Sequence, residues 1–115
     1  MPVLNVLEGV VQYEFGETIT LTMVDNSGVA VDISSYTGTD EVTFRHKDGQ
    51  TVVTRTLSLV GGGTTGQVSF SFAAGNIIKS GEWRGQVKLR NGAETIITYS
   101  KTFVMNVAPN IWVST

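Results

Sequence analysis

His46 is the one histidine in a chain that has no cysteine, so it is the only side chain with an ordinary pKa suited to proton transfer near neutral pH. General acid-base work needs a carboxylate or nucleophile beside it. His46 instead shares a face of an alternating stretch with Val42 and Phe44, which reads as a half-buried or sheet-end histidine. A zinc site lacks further His or Cys ligands. The ten Asp and Glu residues are scattered, and spacing sets no pair to flank a glycosidic bond. Asp25, Asn26, Asp32 and Asp40 offer oxygen ligands in the first loops, but they match no EF-hand spacing. Turn and cap chemistry accounts for all four. The run Gly61-Gly62-Gly63-Thr64-Thr65-Gly66 has neither the Lys-Ser/Thr nor the following helix of a phosphate loop, and reads as a flexible hairpin tip. These residues predict no catalytic, metal or cofactor site, and hence a protein that is not an enzyme.

The elements that carry these residues follow from period-2 alternation. Residues 80–89 form the clearest strand. Trp83, Gly85, Val87 and Leu89 share one side, and Glu82, Arg84, Gln86 and Lys88 the other. Residues 18–24 alternate Ile19, Leu21 and Met23 against three threonines, as in a strand with one wet face. Val29, Val31 and Ile33 predict a short third strand. Residues 41–47 place Val42 and Phe44 inward, and Asp48-Gly49 predicts a two-residue type I′ hairpin. The return strand, residues 51–60, has Arg55 interrupting Val53, Leu57 and Leu59, which fits a bulge or an edge position. Val68, Phe70 and Phe72 alternate with polar residues. Residues 73–79 allow one helical turn, with Ile77 or Ile78 plugging the core. Asn91-Gly92 is a second short hairpin signal. In residues 94–107, Ile97, Tyr99, Phe103, Met105 and Val107 share one parity, with Lys101 the exception, which predicts a bulge near Ser100. Seven or eight short strands without a long helix predict an antiparallel β-sandwich, with a small barrel as the alternative. The expected core comprises Ile19, Leu21, Phe44, Phe70, Phe72, Trp83, Val87, Leu89 and Phe103.

At 115 residues the chain has the size of a single domain, 1–115. Charged residues make up 16% and the net charge is −2, a balance without the basic patch expected of a nucleic-acid groove. The low charge suggests surface covered by neighbours. The absence of cysteine fits synthesis in a reducing cytoplasm. The first residues lack the basic-then-apolar order of a secretory signal, and no apolar run reaches the roughly 20 residues of a membrane span.

Both chain ends are more apolar than termini usually are. Residues 3–11 place Val3, Leu4 and Val6 in a stretch apolar on both faces, with Gly9 marking a bulge. The tail carries Ile111, Trp112 and Val113. Exposed Ile-Trp-Val is rare on a monomer, and tryptophan is enriched at interface hot spots. Residues 1–11 and 108–115 are therefore candidate interface arms, most simply for a homo-oligomer. Trp112 packed back on its own domain is the alternative. Arg84, Lys88 and Arg90 form a positive stripe on the outer face of the Trp83 strand, a solvated face or a secondary docking face for an acidic partner.

Over residues 12–107 the segments MVDNSGVAVDISSYT, VTFRHKDGQTVV and GQVSFSFAAGNIIKSGEWRGQVKLRNGAETIITYSKTFVMNV resemble a known pattern. It is that of the immunoglobulin-like β-sandwich at the N-terminus of tailed-phage baseplate upper proteins, which recurs in other phage virion proteins. Asp25, Gly28, Val31, Asp32, Ile33, Ser34, Lys47, Asp48, Gly49, Gly81 and Trp83 carry the likeness. The resemblance implies a non-enzymatic virion structural protein, assembled with itself or with other virion subunits, with no catalytic residue to carry over. A domain of this size also suits a capsid decoration protein. From a different class, a carbohydrate-binding sandwich would stack sugar on Trp112, Tyr36 or Tyr13.

Overall fold

The structure, a computed structural model, describes residues 6–112, with side chains described from Val10 onward. It is all-β, a curled mixed sheet that forms a half-barrel. The strands are β1 (Val6–Val11), β2 (Ile19–Thr22), β3 (Asp40–His46), β4 (Val52–Leu59), β5 (Gln67–Phe70), β6 (Gly81–Arg90), β7 (Ile97–Tyr99) and β8 (Phe103–Ala108), with a 3-10 turn at Val60–Gly63. Their order is β1-β8-β6-β3-β4-β5-β2, and β7 also pairs with β6.

One pairing corrects the expectation of an antiparallel sheet. β1 runs parallel to β8, Val6 opposite Val104 and Val11 opposite Ala108, with a register shift between Leu7 and Val10 around Gly9. Local alternation specifies a strand but not its partner, and these two are almost a full chain length apart. The other ladders are antiparallel.

The core follows the alternation of β6. Trp83, Gly85, Val87 and Leu89 are buried. Trp83 is fully buried, and its indole N–H donates to the Lys79 carbonyl at 3.1 Å, so the one polar atom of the largest core residue has a partner. Phe44 on β3 packs against Phe70 and Phe72, with ring centroids 5.6 and 5.3 Å apart, and edge-on against Phe103 at 5.8 Å. The β3–β6–β8 part of the sheet thus faces the β5–β2 part across one aromatic cluster. β4 joins them, pairing with β3 through residues 52–57 and with β5 only at Ser58 and Leu59. At Gly85 the cluster lies tight against the backbone: a Cβ there would lie 2.6 Å from Phe103 Cζ and 2.9 Å from Phe44 Cε1.

Several local readings change in the structure. Residues 29–33 are not a strand. Ala30 makes a single bridge to Val24, and Ile33 is fully buried in the core from a loop. The glycine-rich run is not a free tip. Met23 N–H donates to Gly66 O at 2.7 Å, and Ile33 N–H to Gly63 O at 2.9 Å. A Cβ on Gly66 would sit 2.8 Å from the carbonyl oxygens of Met23 and Val31, so glycine is there because other backbone passes close. Neither hairpin is a two-residue type I′ turn, which needs two consecutive positive φ angles. In the first, only Gly49 has one, and the closing bond runs from His46 N–H to Thr51 O. Asp48 Oδ1 accepts from the Gln50 and Thr51 amides. In the second, Glu94 takes the positive φ, and Asn91 Oδ1 accepts from the Thr95 and Ile96 amides. A side-chain oxygen that collects two amides organises a wider loop than the dipeptide alone suggests. Ile77 plugs the core at 1% exposure while Ile78 is 42% exposed.

The bulge near Ser100 is present, and it reverses the face of the residues before it. Tyr99 lies opposite Lys88 but Phe103 opposite Gly85, so the β7 and β8 registers against β6 are out of step by one residue. Ser100 N–H donates to Val87 O, and its Oγ accepts from Val87 N–H, both at 2.9 Å. Phe103, Met105 and Val107 therefore point inward, whereas Ile97 and Tyr99 are exposed.

Candidate interaction surface

The sequence placed no carboxylate beside His46, but the structure brings Asp48 there, Oδ2 3.4 Å from His46 Nδ1, and both side chains also bond to backbone. His46 is 7% exposed. Its Nδ1 accepts from the Asp48 amide at 3.1 Å, so Nε2 carries the proton and donates to Ser80 O at 2.9 Å. Its ring meets the Trp83 indole edge-on, centroids 5.0 Å apart. The Nδ1 bond lies within the β3–β4 hairpin, and the Nε2 bond fastens that hairpin to Ser80 just before β6. Asp48 closes the same corner. It accepts from the Lys79 ammonium and from two backbone amides, and these bonds hold its carboxyl well below the ordinary carboxylate range.

The oxygen ligands of the first loops stay apart. Asp25 Oδ1 accepts from Ser27 and Val29 amides. Asp32 Oδ1 accepts from the Ser34 amide, and bonds to Ser34 lower its pKa. Asp40 is 3% exposed and accepts from Arg90 N–H at 2.8 Å. Burial outweighs that bond and raises its pKa. Among the described residues no group of three His, Cys, Asp or Glu could hold a metal ion. The positive stripe of β6 is interleaved with compensation. Arg84 pairs with Glu82 at 3.5 Å and Arg90 with Glu41 at 3.2 Å, and Lys88 lies over the Tyr99 ring at 5.7 Å.

What the surface offers instead is apolar. Gln12, 5% exposed, joins three segments of the chain. Its Nε2 donates to Ile78 O, its Oε1 accepts from Asn110 N–H, and its carbonyl accepts from Asn110 Nδ2. The Tyr13 amide, at φ 71°, donates to Ile77 O at 2.7 Å. These same segments present Tyr13, Phe15, Ile78, Ile111 and Trp112 to solvent, the last two at 94% and 91% exposure. Asn110 Oδ1 accepts from the Trp112 amide at 2.9 Å, which sets the tail backbone beside Gln12. Of the predicted interface residues, Val3, Leu4 and Val113 lie outside the described residues, and Val6 is described by its backbone alone, in β1. Tyr13, Phe15 and Ile78 were not expected at this surface. The signal was weak: each stands in a short non-repeating segment where alternation assigns no face.

Ile97 and Tyr99 on β7, and Ile96 just before it, are also exposed. Tyr36, a candidate for sugar stacking, is packed against the core, and its hydroxyl bonds Thr98 Oγ1 at 3.0 Å. It is thereby separated in role from the exposed Trp112 and Tyr13.

No protein-family model matches the chain, and a search of curated proteins finds no match.

Proposed function

We propose that this chain is a non-enzymatic structural subunit of a tailed-phage virion, a baseplate, tail or head component that works by burying surface against identical or different subunits. In this reading the curled sheet is an immunoglobulin-like sandwich, as the packing of Phe44 on β3 against Phe70 on β5 supports. The observation that carries the proposal is the terminal apolar surface. Ile111 and Trp112 are almost fully exposed, and Tyr13, Phe15 and Ile78 are exposed in the segments that Gln12 hydrogen-bonds to Asn110 and to the Ile78 carbonyl. Leaving two large apolar side chains in water forgoes roughly 1.5–3 kcal/mol for an Ile-sized group alone, and a docked partner recovers it. Capsid decoration is the alternative within the same class.

Light scattering on the intact chain and on a variant lacking residues 110–115 tests the mechanism. The intact chain is expected above its monomer mass of 12.4 kDa, and the truncated chain nearer to it. An intact chain that stays monomeric at its highest soluble concentration removes self-assembly. Immunogold labelling of phage particles from a lysate of the strain that carries the gene tests the virion assignment, and unlabelled particles overturn it.

A further inference from the structure

Arg55 is the residue that breaks the inward pattern of β4, and the structure puts it at a locally unpaired edge of the strand, not in a bulge. It stands opposite Val42 in an unbroken β3–β4 ladder. On its other side β4 has parted from β5: the two are paired only at Ser58 and Leu59. The guanidinium spans the resulting gap, with Nε donating to the Ser71 carbonyl at 2.7 Å. Around it is an open cleft of about 320 Å³ lined by Thr18, Thr54, Thr56, Ser58, Ser69 and Ser71, with Phe70 as its one apolar wall.

Arg55 is partly buried, yet among the described residues it belongs to no ion pair. Six hydroxyl residues and one fixed cation share this cleft, and no carboxylate lines it. Among the described residues, Thr54 alone of these hydroxyls has a side-chain partner, Thr43 Oγ1 at 2.9 Å. With Nε committed to Ser71, the Nη1 and Nη2 groups remain as a planar pair of donors, the fork that matches a carboxylate or phosphate edge. A partly desolvated positive charge without a counter-ion is costly, and an anion removes that cost.

We propose that this cleft is a binding site for a small oxyanion, a carboxylate or phosphate group, held end-on by the Arg55 fork and flanked by serine and threonine hydroxyls. The fixed Nε–Ser71 bond orders the guanidinium before the ligand arrives, so little side-chain entropy is lost on binding. The proposal is independent of assembly through the chain ends, since none of the cleft residues belongs to the terminal surface.

The test is an amide NMR titration of the intact chain at constant ionic strength, with inorganic phosphate in one arm and glucuronate in the other, and chloride as the reference. Saturable shifts confined to amides of residues 54–58 and 69–71 are expected. Saturation by phosphate alone assigns a phosphate ligand, and saturation by glucuronate alone assigns a carboxylate such as an acidic sugar bears. Arg55→Lys keeps the charge but loses the fork. It is expected to weaken the better probe about tenfold, the value of one charge-assisted hydrogen bond. Ser58→Ala at an exposed position and Ser69→Ala at a half-buried one leave the Ser71 clasp intact and report on the hydroxyl wall even if Arg55 variants unfold. No saturable shift with either probe overturns the proposal, as does binding that Arg55→Lys and both serine variants leave unchanged.

Discussion

Replacing Gly85 by alanine tests the packing at the centre of the fold. The position has no positive φ, so alanine carries no backbone strain, and the effect is one of space alone. The new Cβ would lie 2.6 Å from Phe103 Cζ, 2.9 Å from its Cε2 and 2.9 Å from Phe44 Cε1, against an ordinary carbon contact of about 3.5–4.0 Å. Neither ring can withdraw freely. Phe103 is 2% exposed and Phe44 fully buried, and Phe44 is backed by Phe70 and Phe72. Overpacking a filled core costs about 1–3 kcal/mol. Alanine recovers about 0.5–1 kcal/mol of the chain entropy that a strand glycine loses. The net expectation is a loss of about 1–2 kcal/mol, read as a fall in Tm of about 4–8 °C at roughly 4 °C per kcal/mol for a domain of this size. Thermal unfolding followed by circular dichroism measures it. Gly85→Ala combined with Phe103→Leu, whose side chain vacates the ring position, should lose less than the two single changes added together. A Gly85→Ala protein that melts at or above the parent temperature refutes the close approach, and simple additivity in the double variant acquits Phe103.

Trp83→Ala removes the largest core side chain and the partner of the Lys79 carbonyl. A loss of about 3–5 kcal/mol is expected in denaturant unfolding, and a loss under 1 kcal/mol contradicts the packing described. Asp48 has a pKa lowered from 3.8 by Lys79 and two amides. Its contribution is full above that unfolded value and is lost as pH falls below it. Asp48→Asn should therefore flatten the fall in Tm below about pH 4; an acid limb as steep as the parent's goes against that role. Asp40 runs the other way. Its pKa is raised by burial, so its ionisation weakens the fold as pH rises above 3.8. Asn keeps the acceptor for Arg90 N–H and carries no charge. Asp40→Asn is expected to raise Tm at pH 7 and to lose that advantage in acid, and a Tm lowered at pH 7 speaks against burial as the dominant influence.

The β6 strand shows what could be read directly. Four alternating residues, Trp83 to Leu89, all fall inward, because in a regular strand period 2 alone decides the face. The same rule misassigned Ile97 and Tyr99, since one inserted residue at Ser100 reverses every parity before it. The bulge was legible from Lys101, but which flank faced the core depends on where β6 lies, a non-local fact. Hairpin positions were legible from Asp48-Gly49 and Asn91-Gly92. Their width was not, because Asp48 and Asn91 side chains recruit amides that a dipeptide rule ignores.

The sequence by itself determined an all-β chain, the inward face of β6 and the burial of Phe44, Phe70 and Phe72, all of which rest on composition and short-range periodicity. Tertiary structure alone decided the parallel pairing of β1 with β8, the packing of Gly63 and Gly66 against residues 23–33, and the exposure of Tyr13 and Phe15. It also decided that Arg55 spans an open seam rather than marking a bulge. Each of these depends on which distant backbone passes within a few ångströms, and that is set by the closing of one core rather than by any residue's neighbours in the chain.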